Sequence, residues 1–234
     1  MKQVEKAANA IKQKQKIAIL CVVLLCCGTM LGIDGALHPP YFLKSVIKAA
    51  LFLLCPLLYA RWDRDWDWRG LFRAKRRVVL PAVALGAGVF IVILTAYFIL
   101  RHLFVFGPIT AMLGENAGIT GKSFLWVALY ISFVNSLLEE FFFRGFAFFA
   151  LCRLGCRRLA YGFSAGAFAL YHTAMMWGWF SLPLFLLALT GLTVGGLLFD
   201  WLNEKNGVLY PSWMVHMFAN FAINAVGMVL FDLL

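Results

Sequence analysis

Charge is scarce in this 234-residue chain: Asp, Glu, Lys and Arg together make up 14% of it, against about 25% in soluble domains. Acidic residues number only 11 and histidines only four. With 63% apolar residues, a soluble globule of this size is excluded. Its 23 Phe and 8 Trp exclude disorder, which requires low hydrophobicity and high net charge. There is no internal repeat and no low-complexity segment. Nor is a disulfide framework implied, because Cys21, Cys26, Cys27 and Cys55 lie inside apolar runs while Cys152 and Cys156 lie in a basic loop.

What the chain does have is a series of long apolar runs, so the expected fold is an all-α, polytopic integral membrane bundle of about seven helices. The expected spans are Ile17 to Ile33, Phe42 to Ala60, Val78 to Leu100, Ser123 to Leu151, Leu159 to Trp177, Leu182 to Leu202 and Val208 to Phe231. The first run follows a lysine-rich start but lacks an A-x-A cleavage site, so it reads as a retained span. Two regions follow from this division. Residues 1–122 form an N-terminal transmembrane region of three spans with a basic linker at 61–77, and residues 123–234 form a four-span core. The stretch after Leu100, with Gly107-Pro108, Gly114 and Gly118, reads as a loop.

The net charge of +10 does not indicate nucleic acid, because the basic residues fall in blocks between apolar runs. With the N-terminus cytoplasmic, sixteen of the 21 basic residues fall on the cytoplasmic side, in residues 1–16 and 61–77, at Arg153, Arg157 and Arg158, and at Lys205. Arg101 and Lys122 fall opposite. This asymmetry implies an N-in, C-out multi-pass protein. Lys44 and Lys48, one turn apart near the outer end of the second span, are expected to snorkel to the interface. The GxxxG pairs Gly162/Gly166 and Gly191/Gly195 let helix backbones approach closely, so spans five and six are expected to pack in the bundle interior.

Ionisable groups inside a membrane cost about 2.5–3.5 kcal/mol each on insertion scales, so each calls for a role. Here they are Glu139, Glu140 and Arg144 in span four, His172 in span five, and His216 in span seven, with Asn220 one turn further on. Counting at about 1.5 Å per residue puts them at matching depth, where all can face one cavity. Glu140 and Arg144 are i,i+4 neighbours and are expected to neutralise each other. Glu139 points elsewhere, shares its face with Asn135, and is the freer carboxylate, suited to general-base work. His216, Asn220 and Asn224 repeat every four residues and form a stripe of donors. His38 and His102, in outer loops or interfaces, are assigned no role.

Glu139-Glu140-Phe-Phe-Phe-Arg144 resembles the EExxxR motif, Phe168-Ala-Leu-Tyr-His172 the FxxxH motif and His216-Met-Phe-Ala-Asn220 the HxxxN motif of the CPBP intramembrane proteases. That family comprises the CAAX prenyl endopeptidases and the bacteriocin-processing Abi enzymes. The resemblance covers about Trp126 to Asn224 and implies an endopeptidase acting on a membrane-associated protein or peptide, lipidated or not, in the bilayer. It implies that Glu139 and His172 activate a water while His216 and Asn220 hold the oxyanion. No cofactor is then obligatory, since the spacing is not H-E-x-x-H. Two alternatives remain open at this point: a zinc metalloprotease with the metal on Glu139, His172 and His216, or a non-enzymatic immunity or transport protein.

Overall fold

The computed structural model describes residues 2–37, 39–73, 76–103, 121–176, 178 and 180–233. Its apolar runs are helical because lipid offers backbone N–H and C=O groups no partner except one another. The described residues form seven principal helices: α1 (Lys2–Leu37), α2 (Tyr41–Trp62), α3 (Arg76–Leu100), α4 (Ser123–Arg153), α5 (Arg157–Tyr171), α6 (Leu182–Asn206) and α7 (Tyr210–Leu230). All except α5 are long and apolar enough to cross a membrane. The chain is a polytopic helical bundle, as composition implies. His38 and the loop expected around Gly107 to Gly118 lie outside the described residues.

Two helices differ from their expected bounds. Helix α1 starts at Lys2 rather than Ile17, so the lysine-rich start is helical and exposed. Helix α5 stops at Tyr171, and a short helix, Thr173–Met176, takes up the chain after a break at His172. Its imidazole Nδ1 lies 2.7 Å from the Phe168 carbonyl, the acceptor that its own backbone N–H would take in a continuing α-helix. That N–H turns instead to Ala169, 3.2 Å away. A fifteen-residue helix is about 22 Å long, short of a hydrocarbon core of about 30 Å.

The segments expected to be cytoplasmic gather at one end of the bundle. Arg153, at the end of α4, pairs with buried Asp63 of the 61–77 linker, and Tyr59 donates to the same carboxylate at 2.8 Å. Arg157 at the start of α5 holds Glu204 near the end of α6 at 2.6 Å. The Leu209 N–H bonds the Leu71 carbonyl at 2.9 Å. The linker is therefore docked against the core, with Trp66 and Leu71 buried beneath Phe141 and Phe146.

Helices α5 and α6 pack antiparallel, but the GxxxG glycines do not make the contact. A Cβ on Gly162, Gly166, Gly191 or Gly195 would meet nothing within 4 Å, whereas one on Gly196 would come within 3.0 Å of the Ala165 Cα and 3.2 Å of the Arg144 guanidinium. Close approach is needed one residue along, where α6 crosses α5 over the buried arginine. Helix α6 ends at Gly207, whose φ of 66° suits the left-handed cap and whose N–H bonds Asn203 at 2.7 Å. Buried Asn203 then donates to Ser212 at 2.6 Å, which fixes the first turn of α7 and places His216 one turn further in.

The aromatic centre lies on α4. Phe142, Phe143, Phe146 and Phe148 are all fully buried, and Phe142 stacks on Phe52 of α2 at 4.0 Å. In lipid, such van der Waals packing is a main source of helix association.

Candidate active site

Helix α4 carries both glutamates and takes the wider π-helical winding over Tyr130–Asn135 and Glu140–Phe148. π turns of this kind recur at functional sites. Glu139 and Glu140 are both buried, and their surroundings differ.

The two oxygens of Glu139 have separate partners. Oε1 accepts from the Lys48 ammonium and, at 3.1 Å, from the Asn135 amide. Oε2 faces the Nε2 atoms of His172, 3.8 Å away, and His216, 3.6 Å away. Three helices thus meet on one carboxylate, and the matched depths read from sequence correspond to contact for Glu139, His172 and His216. The Nδ1–H of His172 donates to Phe168, because a carbonyl can only accept. In the neutral ring this leaves Nε2 with a lone pair.

Glu140 works behind this cluster. Its Oε1 takes the Nδ1 of His216 at 2.9 Å and the Arg144 guanidinium at 3.3 Å, so the expected i,i+4 pair forms and also steers an imidazole. Arg144 is fully buried. Its charge is shared with Asp200 of α6, 3.5 Å from Nε, and lies over the rings of Phe168 at 4.2 Å and Phe199 at 5.0 Å. Phe199 also stacks on His216 with centroids 5.3 Å apart. Ser164 lies 2.9 Å from Asp200 Oδ1. Phe168 therefore serves three residues at once, through its carbonyl to His172 and its ring to Arg144 and His216.

Asn220 is not drawn into contact with Glu139. Its amide donates to the Ile131 carbonyl of α4 at 3.2 Å. Asn224 likewise donates to Ala128 and Ser132. The donor stripe of α7 thus binds α4 along its length.

Two neighbours of the site have no site role in the sequence, where Lys48 is expected at the interface and Asp200 is not singled out. Lys48 does not snorkel: it is buried and bonded to Asn135 Oδ1 at 2.6 Å as well as to Glu139. Only Lys44 reaches outward, pairing with Asp34 at 2.6 Å. Both missed residues are charges within apolar runs, the same signal that marked Glu139.

Residues 121–222 match the family described as Rce1-like, type II CAAX prenyl endopeptidase. The chain carries an Rce1-like domain. All six motif residues, from Glu139 to Asn220, fall inside it, and Lys48 falls outside. No curated protein and no solved structure matches the chain. The Rce1-like domain is that of a CAAX-type intramembrane peptidase, which acts on protein or peptide substrates in the membrane.

A zinc ion on Glu139, His172 and His216 would have to share the carboxylate with the Lys48 ammonium, placing a dication beside a buried cation. Among the described residues no group of three His, Cys, Asp or Glu side chains is arranged to hold a metal.

Proposed function

We propose that the protein hydrolyses a peptide bond in a membrane-associated protein or peptide, with Glu139 as general base. The family name points to a lipidated C-terminus as the substrate. The observation that carries this reading is the convergence of two imidazole Nε2 atoms on Glu139 Oε2, at 3.8 and 3.6 Å. That separation is longer than a hydrogen bond and suits a bridging water. Glu139 takes a proton from the water and the His172 lone pair orients it, while the water oxygen bonds the scissile carbonyl carbon. The oxyanion then develops toward His216, which donates from Nε2 when it carries a proton there. Glu140, on the opposite ring nitrogen, steadies the imidazolium, as a carboxylate does behind a catalytic histidine. Asn220 keeps one amide N–H on Ile131 and has a second to give to the oxyanion. The C–N bond breaks as the proton held by Glu139 passes to the leaving amine.

No metal enters this sequence of steps. The test is cleavage of a quenched-fluorescent peptide library by the purified protein, with and without a strong chelator. Cleavage that persists in chelator is the expected result. Activity lost to chelator and restored by Zn²⁺ establishes a metalloprotease instead.

A further inference from the structure

We infer that Lys48, on a helix outside the family-matched region, is a positioning residue for the catalytic carboxylate, fixing which oxygen of Glu139 meets the water. The inference rests on the peptidase reading above. Its basis is the division of one carboxylate: Lys48 and Asn135 both hold Oε1, and Oε2 alone faces His172 and His216.

A carboxylate on a flexible glutamate stem rotates about its last bond, which exchanges the two oxygens and tilts both out of line. Here that rotation is blocked from three helices. Asn135, one turn before Glu139, bridges the pair by donating to Oε1 and accepting from Lys48 at 2.6 Å. The ammonium is held in turn by two rings, lying 4.9 Å from the centroid of Tyr171 and 5.4 Å from that of the fully buried Phe52. All three ammonium protons therefore have acceptors: a carboxylate, an amide and a ring face. Tyr171 directly precedes His172, so the residue that cages Lys48 also ends the helix that presents the orienting imidazole.

A lysine this deep is costly, and packing glue alone does not require the charge. Holding Oε1 while keeping Glu139 ionised does, because a neutral donor of the same length would hold the oxygen without offsetting its buried charge. Misplacing a reacting group by about 1 Å costs about 100-fold in rate.

The experiment measures kcat and KM for K48M, K48Q and K48R in the full chain, per folded protein judged by the monodisperse fraction in detergent. The probe is the fastest-cleaved peptide of the quenched-fluorescent library. K48M and K48Q are expected to lose about 100-fold in kcat with KM within about twofold, and K48R, which keeps the charge, to recover at least tenfold of that. A purely structural lysine lowers the folded fraction and leaves kcat per folded molecule unchanged; that result overturns the inference. If K48M does not fold, the comparison of K48R with K48Q decides, and equal rates overturn it. A wild-type chain that cleaves nothing overturns the peptidase reading and this inference with it, whereas an active wild type with full kcat in K48Q overturns this inference alone.

Discussion

The Nδ1 of His216 lies 2.9 Å from Oε1 of Glu140, a contact that joins α7 to α4 across 76 positions of sequence. It separates the work of two adjacent glutamates. Glu140 holds the back of an imidazole whose front faces Glu139, so one residue sets up the geometry in which its neighbour reacts. The divided surroundings of the two carboxylates lead to different expectations for their removal.

Glu139→Gln should abolish hydrolysis and also lower stability, because it strands the Lys48 ammonium. Breaking a buried pair by removing one partner costs about 3–5 kcal/mol. The double variant E139Q/K48M removes both charges and should recover much of the melting temperature while remaining inactive. Thermal unfolding in detergent, run beside the peptide assay, checks both parts. Wild-type turnover in E139Q rejects the base assignment.

Arg144→Met should be among the most destabilising single changes in the core, since it leaves Glu140 and Asp200 facing each other without their shared cation. The expected loss is again about 3–5 kcal/mol. Asp200→Asn should cost less, because Arg144 keeps Glu140 and the new amide still meets Ser164. The yield of monodisperse protein and its melting temperature give the order, and an R144M chain as stable as wild type contradicts it.

Asn220→Ala and Asn224→Ala should part company. Asn220 loses one bond to α4 and Asn224 two, each worth about 0.5–1.5 kcal/mol. Only Asn220 is proposed as an oxyanion donor, so N220A alone should lose about 10²–10³ in kcat with little change in KM. Equal kinetics in the two variants would leave Asn220 with helix packing as its whole role.

The N-in orientation predicts that reporter fusions after residues 70, 155 and 205 read as cytoplasmic and a fusion after residue 115 as external. Linker, α4–α5 turn and α6–α7 turn share one end of the bundle, so the first three must agree with one another. Disagreement among them would mean that the end-to-end contacts do not form in the membrane.

The length of the apolar runs made the bundle legible, because continuous stretches of about 20 apolar residues satisfy their backbone in lipid as helices, whereas a closed barrel needs short alternating strands. The motif glutamates and histidines were legible because charge inside an apolar run is expensive, and depth counting brought Glu139, His172 and His216 together. The same rule applied to Lys48 and Asp200 but was overridden by position: each lies near the end of its run, where a long stem or a short distance to water offers a cheaper explanation. Sequence cannot show that Lys48 turns inward, since the aromatic cage that receives it comes from Phe52 and from Tyr171, 123 positions further on. The early end of α5 was hidden for a related reason. It coincides with the His172 ring taking the Phe168 carbonyl, and the apolar residues beyond His172 give no sign of that.

The pairing of Lys48 with Glu139 also bears on how the chain enters the bilayer during synthesis. Lys44 meets its partner Asp34 within the first two helices to emerge, but Lys48 must wait for a residue 91 positions later. Until α4 is made, α2 carries an ammonium whose carboxylate partner does not yet exist, at a cost of about 2.5–3.5 kcal/mol in lipid. A chain cut short before Glu139 is left with that charge unpaired in the membrane.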